Sequence, residues 1–161
     1  MAFTSMKMIL WHGMLISSLL AVTGCSDKET ETKNVNDGKP QKLEAVAMSI
    51  GGHKVDIEIA KSDDQKAKGL MYRDSMEQGH GMLFVYSKDK KMSYFMYNCR
   101  FPLDIAFLAA DGTVLQIEQM QPREYLPTRS KKEARFAIEM NKGWFEANGV
   151  KVGDKVNLKL D

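Results

Sequence analysis

The stretch YFMYNCRFPLD, residues 94–104, sets a cysteine, an arginine, an asparagine and an aspartate among aromatic residues, with a proline between them. Cys99 could attack as a thiolate if a base or a positive charge lowered its pKa. Asp104 could serve as a general base in a hydrolase or transferase, with Arg73 from the segment GLMYR holding an anion in its rigid fork of donors. Arg73, Asn98 and Asp104 could also line a small pocket for a polar or anionic ligand without reacting with it. The structural alternative is an Arg73–Asp104 ion pair, or a turn at Asn98, that fixes a corner of the fold.

The surroundings weigh these choices. Arg100 adjoins Cys99, but successive strand residues point to opposite faces, and His53 and His80 share no motif with it. Free cysteine is among the most buried residue types, so Cys99 reads as a small buried filler. For Arg73, Asn98 and Asp104 the structural role is preferred to ligand binding. Trp144 and Phe145, if exposed, would offer a contact surface to a partner, although packing of at least one ring against a sheet is preferred. Met92, Tyr94 and Met96 share a face at strand period. Thioethers select Cu(I), yet there is no Met-rich cluster, so these residues read as core. No metal and no cofactor is expected, and no catalytic residue is assigned.

The start of the chain concerns location. Lys7 precedes the apolar run MILWHGMLISSLLAV, and VTGC ends at Cys25. A charged start, an apolar run and small residues before a cut mark a secretory leader. LAVTGC, residues 20–25, resembles the lipobox of bacterial lipoproteins, in which the cysteine carries diacylglycerol and becomes the new N-terminus. The run SDKETETKNVNDGKPQK that follows is almost devoid of apolar residues, and it cannot offset its ordering entropy by burial. The expected organisation is a leader over 1–24, a lipidated Cys25 with a flexible tether to 43, and one domain over 44–161. The resemblance places that domain outside the cytoplasm on a bacterial membrane. Ser26 after the lipidated cysteine implies the periplasmic face of the outer membrane in a Gram-negative host.

Composition excludes several classes. The chain has 23 Lys and Arg against 21 Asp and Glu, without a dense basic stripe, so nucleic acid is not an expected partner. It has two cysteines, and with Cys25 lipidated neither an internal disulfide nor a paired-cysteine zinc site can form. The remaining partners to expect are the membrane through the lipid on Cys25, the small polar or anionic ligand named above, and an envelope protein.

The elements that must position these residues are short. EAVAMSI and HKVDIEIA alternate at period two around Gly51-Gly52, a hairpin signature. Ser62 with Gln65 makes a capping box, predicting a helix from Asp63 to about Tyr72 with Gly69 as its weak point. MLFVY, MSYFMY, LDIAFLA, TVLQIEQM, ARFAIEM and the closing KVNLKL read as strands, with Asp111-Gly112 as a tight turn. NKGWFEANGV reads as a helical turn or two capped by Asn141. No long helix alternates with the strands, which disfavours a parallel doubly wound sheet. The expected fold is mostly β (α+β): a compact, antiparallel, barrel-like sheet of about seven or eight short strands with two short helices.

GLMYR, GMLFVY, FMYN, FPLDIAFLAADGTV and GWFEANGVKVGDKV occur in the order seen in the family called DUF192. The resemblance implies a compact, mostly β domain over about residues 50–160, often secreted or lipid-anchored, with no established activity. The chain departs from the family pattern at Cys99, usually Thr, and at Phe101, usually Ile. Together these features predict a lipid-anchored envelope protein acting as a small binding or accessory module.

Overall fold

In the computed structural model, residues 35–158 and residue 160 are described. The leader, Cys25 and the tether as far as residue 34 lie outside them. Nine strands and two helices are found among the described residues. The first hairpin is β1 (Ala45–Ile50) and β2 (His53–Ala60), followed by α1 (Asp63–Lys68) and the long β3 (His80–Lys90). Next come β4 (Ser93–Tyr94), β5 (Leu103–Leu108), β6 (Val114–Met120) and β7 (Thr128–Arg129). The chain closes with β8 (Ala134–Asn141), α2 (Trp144–Ala147) and β9 (Val156–Asn157).

Seven strands form one sheet in the order β6-β5-β8-β3-β2-β1-β9, and β4 and β7 pair as a separate ribbon. All neighbours in the sheet run antiparallel except β2 and β3. That parallel pair exists because α1 and the loop after it return the chain to the same end of the sheet. The sheet also curls until its edges meet. Thr113, before β6, bridges Lys155, before β9, and the Val156 N–H donates to the Gly112 carbonyl at 3.0 Å. The mostly β, barrel-like expectation therefore holds, in the form of a curled half-barrel.

The local signals act as their chemistry dictates. Gly51 and Gly52 both take positive φ (58° and 86°), which a two-residue hairpin turn of matching twist requires. Ser62 and Gln65 form the full capping box. The predicted extension of the helix to Tyr72 does not occur. Gly69 adopts φ +48°, its N–H closes on the Gln65 carbonyl, and α1 stops after six residues. MSYFMY contributes only β4 to regular structure. Its residues still alternate in burial from Met92 to Tyr97, so it lies as a flap with Met92, Tyr94 and Met96 facing inward.

Curling divides the core into two layers. The inner layer joins residues of both sheet edges, Met48, Ile50 and Val156 with Val114, to Ile57, Leu83, Ile138, Met140, Trp144 and Phe145. The outer layer is built from Met82, Phe84, Leu103, Ile105, Phe107 and Met120 under Leu70, Met92, Tyr94, Met96, Cys99 and Phe101. Each large side chain so buried contributes about 1.5–3 kcal/mol. β5 is buried at every position because it has a neighbour on each side and a layer on each face.

The end of the expected tether lies on the domain. Gln41 donates to the carbonyls of Gln65 and Gly69 at 2.8 and 2.9 Å. The Lys68 ammonium donates to the Val35 carbonyl at 2.8 Å and pairs with Asp37. Gln41 thus meets backbone carbonyls at the C-terminal end of α1, where the last acceptors of a helix lack intrahelical partners.

Candidate functional site

The residues singled out by chemistry do not converge. Arg73 pairs with Glu58 and not with Asp104. Its Nη1 and Nη2 donate to the two Glu58 carboxylate oxygens at 2.7 and 2.8 Å, and Nη2 also donates to the Gln41 carbonyl at 2.7 Å. Leu43 N–H completes the Glu58 shell at 2.7 Å. Burial pushes the Glu58 pKa up, but the Arg73 and Leu43 donors outweigh it and hold the carboxyl below its ordinary value.

Asp104 lies on the other face of the sheet. Pairing sets Asp104 opposite Met140 and Gln119, and Met140 belongs to the inner layer. Glu58 is opposite Met82 of the outer layer. The Asp104 carboxylate accepts the Gly143 N–H at 2.8 Å, capping α2 from a distant strand. The expected cap, Asn141, instead donates to the carbonyls of Met76 and Glu77. Asp104 Oδ1 is buried without a hydrogen-bond partner among the described residues. Desolvation raises its pKa, against the lowering effect of the nearby Gly143 and Phe145 N–H groups. Replacing Asp104 by Ala leaves the Gly143 N–H without its acceptor. A loss of about 1–3 kcal/mol and a red shift of Trp144 fluorescence, as α2 loosens, are expected in equilibrium unfolding; unchanged spectra and stability would refute the cap.

Asn98 stands near Arg73 but faces Tyr72. Its side-chain amide donates to the Tyr72 hydroxyl at 2.7 Å, and its carbonyl accepts the Tyr72 N–H. Asn98 takes φ +55°, a conformation Asn tolerates better than most residues, so it shapes a corner. Cys99 is buried, with its thiol donating to the Phe101 carbonyl at 3.6 Å. Burial, with a smaller contribution from Glu139, pushes that thiol up to about 11, and it stays protonated at neutral pH. Trp144 and Phe145 are only 7% and 1% exposed, so they form no surface patch. Phe95, Tyr97, Tyr125 and Leu126 are the exposed large apolar side chains on this side, at 56% to 84%. The three aromatic residues border one groove with Asn98, Arg100 and Arg123.

One group that sequence reasoning missed dominates the outer layer. Glu139, in the middle of β8, lies between Met82 of β3 and Ile105 of β5. Register extends this into a row across five strands: Glu58, Met82, Glu139, Ile105 and Glu118. The two flanking carboxylates are paired, Glu58 with Arg73 and Glu118 with Lys131. Glu139 is 6% exposed and has no hydrogen-bonded partner among the described residues. Desolvation pushes its carboxyl up to about 8, against the pull of the Arg73 charge.

Glu139 lines a cavity of about 310 Å³ between the sheet, α1 and the flap. Phe84, Tyr86 and Tyr94 supply aromatic walls, Met96, Cys99, Leu70 and Leu103 complete the apolar surface, and the flap residues Phe95 and Tyr97, whose rings are exposed, border it. Asp63, Lys66 and Lys68 stand at its α1 side. Among the described residues no three His, Cys, Asp or Glu side chains come together as metal ligands. The cavity can accept an apolar body and offer it one carboxyl.

A curled, mostly β half-barrel with two short helices among the described residues defines the fold class. Within it, the chain belongs to the family DUF192, described as "Uncharacterized ACR", which matches residues 46–158. Two solved structures share the fold. A Sinorhizobium meliloti protein, provisionally described as a transcription regulator, is 31% identical with a TM-score of 0.67, over 74% of this chain and 95% of its own. A protein of unknown function from Novosphingobium aromaticivorans is 30% identical with a TM-score of 0.69, over 72% of this chain and 86% of its own. No curated protein matches the chain.

Proposed function

We propose that the chain is a lipid-anchored cell-envelope protein whose domain binds a small ligand in the cavity over Glu139. The anchor rests on LAVTGC and the polar run after Cys25, since dual acylation of one residue holds a protein stably on a bilayer. Ser26 favours the periplasmic face of the outer membrane in a host with two membranes. The binding role is carried by one observation: a buried carboxyl without a hydrogen-bonded partner among the described residues, open to an aromatic cavity. A carboxyl whose pKa is raised by desolvation at a cleft marks a candidate functional site.

Binding is favoured over catalysis. Arg73 and Asp104 stand on opposite faces of the sheet, which removes the geometry of the hydrolase or transferase alternative. Arg73 is also neutralised by Glu58 and has no free charge for an anion. The description of the S. meliloti protein as a transcription regulator is not carried over, because near-neutral charge gives no stripe for DNA.

The test is native mass spectrometry of the full chain, produced in bacteria with its own leader and extracted from membranes in mild detergent. A diacylglyceryl-modified mass beginning at Cys25 is expected, lost in Cys25→Ser. A small accompanying mass is expected in the wild type and absent from Ala67→Trp, which fills the cavity from the exposed face of α1. An unmodified chain would sink the anchor; identical accompanying masses in wild type and Ala67→Trp would sink the cavity.

A further inference from the structure

Three aromatic rings, Phe84, Tyr86 and Tyr94, and the Glu139 carboxyl line the pocket beneath the flap, with Asp63, Lys66 and Lys68 at its α1 side. Ring faces carry negative charge density and attract cations, and the rings here already do so. The Lys66 and Lys90 ammonium groups lie 4.8 and 5.1 Å from the Tyr86 ring centroid. Of the cations around the cavity, Lys66 pairs with Asp63, Lys68 with Asp37 and Arg73 with Glu58, while Lys90 rests on the Tyr86 ring. Glu139 is the carboxyl left without a pairing cation. Its neighbours in the row, Met82 and Ile105, are apolar.

Building on the cavity as a binding site, we propose that its ligand is an organic ammonium ion: the apolar body lies against the aromatic walls, and the charged nitrogen meets Glu139. An anion would face the ring quadrupoles and would find Lys66 and Lys68, the cations at the cavity, already paired with Asp63 and Asp37. A neutral apolar ligand would bring Glu139 neither a donor nor a counter-charge. An ammonium ion supplies the missing counter-charge in a site of low dielectric, where such a pair is strong if well placed.

The pairing has a proton balance. The empty site holds Glu139 as the neutral acid, since its pKa of about 8 lies above neutral pH. When the cation enters, the Glu139 O–H bond breaks, the electron pair stays on the carboxylate, and the proton leaves to solvent. The groups facing Glu139 are Tyr94 from the flap, Cys99 after it, and Arg73 from the loop after α1. The Tyr94 and Cys99 groups are both raised above their ordinary values, so neither releases a proton at neutral pH. The released proton therefore comes from Glu139, and affinity rises with pH up to about 8 and levels off above it.

Calorimetry of the full chain in nonionic detergent tests this with three small probes. Benzyltrimethylammonium has a charge that does not titrate; benzyl alcohol is a neutral counterpart and benzoate an anionic one. The ammonium probe should bind at least tenfold more tightly than either other probe at pH 7, an advantage of about 1.4 kcal/mol. Heats measured in buffers of different ionisation enthalpy should show close to one proton released at pH 6.5. Affinity should rise about tenfold per pH unit between pH 6 and 7.5. Glu139→Gln should abolish proton release and pH dependence while leaving the weak benzyl alcohol binding intact, and its unfolding curve verifies the fold. Benzyl alcohol or benzoate binding as tightly as the ammonium probe, or Glu139→Gln without effect, would overturn the cation and leave the cavity standing. Binding of all probes equally to Ala67→Trp, or to neither protein, would overturn the cavity as well.

Discussion

Replacing Glu139 by Gln should stabilise the domain at neutral pH and flatten its response to pH. Glu139 titrates at about 8 in the folded chain, against an ordinary value of 4.5. Between those values the folded state holds a proton that the unfolded state has released, so stability falls as pH rises. Below about pH 4.5 both states are protonated and Glu139 imposes no ionisation penalty; above pH 8 both are ionised and the penalty is complete. At about 1.4 kcal/mol per unit, the penalty at pH 7 is about 3 kcal/mol. Gln keeps the shape and removes the ionisation. Urea unfolding of both proteins from pH 4 to 9, followed by the buried Trp144, isolates this group by difference, since Asp104 and Glu58 titrate alike in both. The gap should be small at pH 4.5, widen through neutrality and level off near pH 8. Parallel curves, or a variant less stable than wild type at pH 7, would contradict a buried neutral acid. A natural chain that retains Glu instead of Gln accepts lower stability for what the carboxyl does, as functional sites commonly require.

Arg73→Ala should be the most damaging of the charge substitutions. It strands Glu58, 13% exposed in its side chain, with one remaining donor at Leu43, and frees the Gln41 carbonyl. Breaking one side of a buried pair costs about 3–5 kcal/mol, mostly the penalty of the charge left behind. Arg73→Lys should recover little of it, because a single ammonium cannot meet both carboxylate oxygens and the Gln41 carbonyl in the same plane. The pH response has the opposite sense to that of Glu139. The folded pKa of Glu58 is depressed, so the pair stabilises above the ordinary carboxylate range. Its contribution is lost as pH falls through the folded value, and the gap between wild type and Arg73→Ala should close on acidification. The double variant Arg73→Ala with Glu58→Gln should be more stable than Arg73→Ala alone, because no bare charge remains. A double variant as unstable as the sum of the singles would mean that the two side chains act independently. Residues 35–43 supply a second readout, since loss of Arg73 removes the contact to the Gln41 carbonyl and leaves Gln41 only its side-chain bonds to Gln65 and Gly69, which should raise hydrogen exchange in that segment.

The sequence by itself determined the local architecture. Alternation around Gly51-Gly52 specified the first hairpin, Asp111-Gly112 the turn between β5 and β6, and Ser62 with Gln65 the start of α1. Each of these depends on a few adjacent residues and their backbone preferences. The segments GLMYR through GWFEANGVKVGDKV placed the chain in its family, because five ordered motifs are specific even where their physical roles are not evident.

Tertiary structure decided the partners. Arg73 could have met Asp104 or Glu58, both carboxylates in alternating strands. The choice of Glu58 follows from strand order, which sets β8 and β3 between β5 and β2, and from the pleat, which turns Asp104 to the inner layer. Glu139 shows the same limit more sharply. In ARFAIEM, residues Arg135, Ala137 and Glu139 share one face opposite Phe136, Ile138 and Met140, the pattern of a half-exposed strand with a wet side. Only the flanking of β8 by β3 and β5, and the flap that covers the outer face, turn that polar side into the floor of a cavity. Burial of a strand face depends on what the rest of the chain lays over it, and alternation within the strand does not contain that information.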